Sequence, residues 1–198
     1  MFEMACGLAQ DIWNGLEGVV SVGIQGSYAR GEAGEGSDVD LVVILERCTG
    51  EVLDDYSHLL DSSAIPRGLL CGFVSSLEEI MAWDRADRVS LVLDTKTLCG
   101  TPLSDLVPVT PDDIAAAARQ SICQVLHPLT HIIVHEKDWA QLGPLFKSSR
   151  FALRLVHALE SGSFVQSFTA LAGQVSGEDL WVLENREYSH ETAIRLRK

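Results

Sequence analysis

Gly26 to Asp40, "GSYARGEAGEGSDVD", lies between two apolar runs, "GVVSVGIQ" and "LVVIL". Both runs are short, apolar and partly β-branched, the composition of buried strands, and predict strands over residues 19–25 and 38–45. Asp38 and Asp40 open the second strand two residues apart. A period of two puts both carboxylates on one face and Val39 on the other. Two carboxylates held close repel each other unless a cation lies between them. Hard oxygen donors of this kind suit Mg²⁺, which proteins bind through one or two carboxylates together with substrate phosphates. Gly26 and Ser27 fall where the first strand gives way to a turn. Glycine lets the backbone come close to a ligand, and successive N–H groups there can cradle phosphate oxygens. The Ser27 hydroxyl adds a donor, and Arg30 is a further candidate for a phosphate contact. A phosphate cradle beside a metal-binding carboxylate pair is the equipment for phosphoryl or nucleotidyl transfer.

The rest of the chain bounds the setting. Its 198 residues, 46% hydrophobic, suffice for one core or two small packed domains. The formal net charge of -13 argues against a nucleic-acid binder, which needs a basic surface to displace counterions. It suits a cationic substrate or a divalent metal. The five cysteines are scattered and none forms a C-x-x-C pair, which reads as free thiols in a reducing compartment. The first residues carry early acids and no basic segment, so no signal peptide is expected. No apolar run approaches the length of a membrane span. The expectation is a cytoplasmic protein.

Helical spacing appears in Phe2–Leu16, with Phe2, Ala5, Leu8, Ile12, Trp13 and Leu16 apolar, and again in "GEVLDDYSHLLDSS". "LLCGFVSS" reads as a third strand and "SLEEIMAWDRA" as a short helix capped by Ser76. "RVSLVLDTKTLCG" reads as a β-hairpin turning at Asp94-Thr95-Lys96, or as a strand and loop. After residue 108 the texture becomes helical. Thr110-Pro111-Asp112-Asp113 is a strong helix start, and Pro128 is expected to end or kink that helix. A second long helix runs to Gly162, and two short ones cover Ser163–Gln174 and Gly177–Tyr188. The last ten residues are polar and read as frayed. Lys147, Arg150 and Arg154 share one face of the second long helix, a basic stripe that could reach a triphosphate. His131 and His135 are four apart, but without the internal Glu of a zinc protease they read as structural or surface histidines.

The form "GSxARG…SDxDLxV" in residues 26–43 resembles the signature of the DNA polymerase β-like nucleotidyltransferases, in particular the bacterial minimal and antibiotic nucleotidyltransferases. The resemblance implies an α/β (α+β) nucleotidyltransferase fold with a mixed sheet over residues 1–108 and an all-α helical bundle over 109–198. It implies a nucleoside triphosphate bound with Mg²⁺, its phosphates held by Gly26 and Ser27 and the metal by Asp38 and Asp40. A hydroxyl of a small molecule, with an aminoglycoside-type antibiotic as the leading guess, would attack the α-phosphorus. A nucleotide-binding regulatory or antitoxin-like protein, or transfer of AMP to a protein, are the alternatives. Oligomeric state is left open. Lys147 is the helical part's candidate contact for the nucleotide.

The family pattern also carries a third carboxylate on a later strand, as metal ligand or general base. The corresponding run here, "LLCGFVSS", contains no acid. Nearby candidates are Glu78, Glu79 and Asp94. Glu78 and Glu79 open a helix, where Ser76 and Glu79 fit a capping box, and Asp94 fits a hairpin turn.

Overall fold

A computed structural model of the protein describes residues 1–198. They form two compact units, Met1–Val109 and Thr110–Lys198. No helix is long and apolar enough to cross a membrane.

In the first unit, α1 (Phe2–Gly15) buries Ala5, Leu8, Ala9 and Ile12, one stripe at helical spacing. Four strands follow in the chain: β1 (Val19–Gln25), β2 (Val39–Leu45), β3 (Leu70–Ser76) and β4 (Lys96–Gly100). They make one mixed sheet in the order β3-β2-β1-β4. β1 pairs antiparallel with β2 and with β4, and β2 pairs parallel with β3. α2 (Gly26–Arg30) separates β1 from β2, and α3 (Gly50–Ser62) leads back from β2 toward β3. α4 (Leu77–Ala82), α5 (Arg85–Asp94) and α6 (Leu103–Leu106) complete the unit.

β2 reads as an unbroken apolar run because both of its faces are covered. Val39, Leu41, Val43 and Leu45 pack with α1 and α3. Val42 and Ile44 pack the other way, with Ile80, Leu91, Val92 and Leu103 from α4, α5 and α6. Each such side chain, once buried, contributes about 1.5–3 kcal/mol. Asp38 and Asp40 have the parity of Val42 and Ile44. They lie at the strand's opening end, where Asp40 is half-buried and Asp38 exposed.

The expected hairpin is corrected. Arg85–Asp94 is helical, and only Lys96–Gly100 is a strand. Asp84 caps the helix by accepting a hydrogen bond from the Ala86 N–H. Ala86, Val89 and Val92, three apart, are its buried stripe. That helical register wins over the strand reading of this short apolar run.

At the end of β3 the capping box at Ser76 is formed. Glu79 Oε2 accepts from the Ser76 N–H at 2.8 Å, the Ser75 hydroxyl at 2.8 Å and the Ser76 hydroxyl at 2.9 Å. These bonds hold the Glu79 carboxyl below its ordinary value, the Ser76 backbone bond contributing most. A lowered folded value means the stabilisation is full above the unfolded pKa, near 4.5, and is lost as pH falls through the folded one. Glu79→Gln therefore melts below the parent at neutral pH, and thermal melts at decreasing pH show the gap closing below about 4.5.

In the second unit, α7 (Pro111–His131) starts at the Thr110 capping box with Pro111 in its first turn. Pro128 does not end the helix, which runs on to His131 and then widens into a π turn over Ile132–Glu136. Proline within the last turn removes a single backbone donor, a loss the change of pitch can absorb. Lys137, in the left-handed region, closes the turn by donating to the Ile132 carbonyl. α8 (Leu142–Ser161) packs against α7 and ends at Gly162, also left-handed. α9 (Phe168–Ala172) and α10 (Gly177–Glu184) are shorter than expected. The C-terminus is not frayed: α11 (His190–Leu196) is capped by Ser189 and buries Ala193 against Leu129, Ile132, Leu142 and Phe146.

The basic stripe on α8 is also corrected. Arg154 is 2% exposed and stacks among three rings, with its Cζ 4.6 Å from Phe151, 5.1 Å from Phe164 and 4.9 Å from Phe168. It donates to the Gln166 carbonyl at 2.9 Å. Arg150 donates to the carbonyls of Val182 and Asn185, and burial, together with the neighbouring Arg186, pushes its guanidinium below its ordinary pKa. Both hold the helical unit together, and Lys147 alone of the three is exposed. His131 faces Glu136 at 3.1 Å on the surface, in keeping with a structural histidine.

Candidate active site

The site is assembled by the hydrogen-bond register of the sheet. Gln25, the last residue of β1, lies opposite Asp40 in the antiparallel pair. The Gln25 side chain donates to the Leu91 carbonyl at 3.0 Å and to the Thr95 hydroxyl at 2.9 Å, tying the end of β1 to α5. The chain then turns at Gly26 into α2, a single helical turn where a bare loop was expected. Its first N–H groups have no acceptor within the helix, which is how a helix start binds anions. Gly31, left-handed, ends the turn by donating back to the Ser27 and Tyr28 carbonyls.

Gly26 is required twice over. Its φ of 68° is strained for any side chain, and a Cβ there would overlap Asp40 Oδ2. The Asp40 carboxylate thus lies directly against the backbone that opens α2. The Gly26 backbone and the Asp40 carboxylate are neighbours in space although fourteen residues apart in sequence.

Asp38 and Asp40 point to one side, as their spacing predicts, with Val39 fully buried on the other. Across the β2–β3 ladder Asp40 is opposite Cys71. The ligand atoms of Asp38, Asp40 and Cys71 all lie within 4.8 Å of one another. Two carboxylates in this position, beside a backbone cradle that a Cβ would fill, fit a divalent cation. The third donor is a thiol.

The candidates for a third carboxylate lie elsewhere. Glu78 is exposed at the start of α4, and Glu79 is engaged in the capping box. Both follow the far end of β3, five residues beyond Cys71, or roughly 16 Å along a strand. Asp94 is buried as the last residue of α5 and is not among the donors gathered at Asp38 and Asp40.

Ser27 is half-buried in the first turn of α2. Arg30 forms an ion pair with Glu32 at 3.1 Å. It also lines a cleft of about 520 Å³ together with Phe2, Tyr28, Ala33 and Lys96, the size of a small-ligand pocket. Lys96 stands 5.5 Å over the Phe2 ring. Neither Lys96 nor Cys71 was a candidate from sequence. β4 pairs with β1, and β3 with β2, through contacts that no local pattern announces.

Residues 9–82 match the family model for a nucleotidyltransferase domain. A search of curated proteins found no match. Among solved structures the chain aligns with a spectinomycin adenyltransferase from Enterococcus faecialis, solved with ATP and spectinomycin. The TM-score is 0.56 at 15% identity over 100% of both chains, which shows a shared fold. A toxin–antitoxin structure with AMP-PNP aligns over 68% of this chain and 96% of that one, at 18% identity and a TM-score of 0.32, too low to carry an argument. Residues 9–82 thus match a nucleotidyltransferase domain, and the fold around them is shared with a spectinomycin adenyltransferase.

Proposed function

We propose that the protein transfers a nucleoside monophosphate from a nucleoside triphosphate to a hydroxyl of a small molecule, with Mg²⁺ or another divalent cation at Asp38 and Asp40. The observation that carries this reading is the contact of the Asp40 carboxylate with the Gly26 backbone at the start of α2. It supports the reading because a cation at Asp40 would then lie beside a phosphate at Gly26. A bound cation would neutralise phosphate charge and polarise the α-phosphoryl group. Gly26 and Ser27 hold phosphate oxygens, Asp38 and Asp40 hold the cation, and Arg30 is a further candidate phosphate contact. The acceptor oxygen bonds to the α-phosphorus as the bond to the bridging α–β oxygen breaks. Pyrophosphate leaves with that electron pair, and the hydroxyl proton passes to water.

A small acceptor is supported by the match to an adenyltransferase solved with spectinomycin, which extends over the helical unit as well. The acidic chain favours a cationic acceptor such as an aminoglycoside, which would make the protein an antibiotic-resistance enzyme of the cytoplasm. A second reading, nucleotide binding for regulation with slow transfer, rests on Cys71 standing where a third carboxylate is expected.

The test is a screen of nucleoside triphosphates and divalent cations against aminoglycosides, aminocyclitols and protein acceptors, read by mass spectrometry. A small acceptor that gains one nucleoside monophosphate supports the first reading. Nucleotide binding without any modified acceptor supports the second. Modification of protein alone overturns the small-molecule acceptor.

A further inference from the structure

We infer that Cys71 is the third ligand of the cation held by Asp38 and Asp40, so that the centre has two oxygen donors and one sulfur and prefers Zn²⁺ or Co²⁺ to Mg²⁺. The inference rests on the proposed metal site and concerns what this chain has put into it. In the parallel β2–β3 pair, Cys71 is the register partner of Asp40, and paired residues on neighbouring strands project to the same face. Asp38 shares that face through its spacing from Asp40.

Distance allows a common ion. In a tetrahedral site, metal–sulfur and metal–oxygen bonds of about 2.3 and 2.1 Å set two donors about 3.6 Å apart. The three donor atoms lie within 4.8 Å of one another, so small side-chain rotations suffice. Cys71 is exposed on an edge strand and is in no disulfide, so neither core packing nor a cross-link accounts for it. Its neighbour Gly72, at φ 145°, has room for no Cβ, because the Leu41 carbonyl fills that space. This close approach sets Cys71 against the start of β2.

The chemistry follows from the donor set. Mg²⁺ takes oxygen ligands in a strict octahedron. A thiolate is soft and favours zinc-like ions, whose affinity for mixed nitrogen, oxygen and sulfur sites also exceeds that of the early divalent metals. Glu79 does not compete, since it is tied to Ser75 and Ser76.

The experiment is a titration of the full chain with Co²⁺, following the sulfur-to-cobalt charge-transfer absorption. The band should saturate at equimolar metal. Cys71→Ser should abolish it and weaken Co²⁺ binding roughly ten- to a hundredfold, while Mg²⁺ binding stays the same. Cys71→Asp should shift the preference toward Mg²⁺. In the parent chain, Zn²⁺ should protect Cys71 from iodoacetamide, and Asp40→Ala should remove that protection. Co²⁺ bound through Asp38 and Asp40 without the band, or a band that survives Cys71→Ser, overturns the inference and leaves the carboxylate site standing. Divalent binding that ignores Asp38→Ala and Asp40→Ala overturns the carboxylate site itself.

Discussion

Asp40→Ala lowers the rate of nucleotidyl transfer roughly a thousandfold, and Asp38→Ala has an effect of similar size. A metal ion at the reacting phosphoryl group supplies several kcal/mol of charge stabilisation, and about 4 kcal/mol is a factor of a thousand. Both carboxylates belong to the donor cluster, so neither variant leaves a complete set. Asp40 should be the more sensitive of the two, since its carboxylate also lies against Gly26. Asp40→Asn separates charge from shape. It keeps the side chain's volume beside Gly26 and removes the negative charge, so its folded stability matches the parent while its transfer rate matches Asp40→Ala. Steady-state pyrophosphate release, with thermal melts of each variant, checks both statements.

Gly72→Ala destabilises the first unit by about 4 kcal/mol, adding left-handed backbone strain to an overlap with the Leu41 carbonyl. For a chain of this size that is a fall of roughly 10 °C in melting temperature. A backbone oxygen cannot swing aside as a side chain can, so β3 has to move away from β2. The β2–β3 ladder is the only pairing β3 has, because β3 is the sheet's edge. Gly68→Ala is the control. A Cβ there meets open space, and its melting curve should lie within about 0.5 kcal/mol of the parent.

The half of the site that local pattern dictates was legible in the sequence. Asp38 and Asp40 share a face because strand side chains alternate, and Val39 between them is buried. Gly26 was legible as a backbone that must come close to something. That Asp40 fills that space needed the fold. Cys71 was not legible, because it reaches the site through the parallel register of β2 with β3, thirty-one residues from Asp40 in sequence. The family pattern also points to an acid there, whereas Cys71 is a thiol. The apolar run Val89-Ser90-Leu91-Val92-Leu93 resembles a strand, and the signal for the helix α5 is Asp84 as its cap. The capping box at Ser189 likewise announced α11 beneath a polar surface. Arg154 looked like a ligand-facing cation because charge is usually exposed. The phenylalanines that enclose it come from separate segments, at 151, 164 and 168.

The most direct test of the central claim follows the label from a nucleoside triphosphate marked at its α-phosphorus, in the presence of divalent cation and acceptor. The account predicts that the label moves to the acceptor with an equal amount of pyrophosphate released, and that Asp38→Ala and Asp40→Ala each stop both. Transfer that persists in those variants, or release of orthophosphate with the label left in a nucleoside diphosphate, would contradict it.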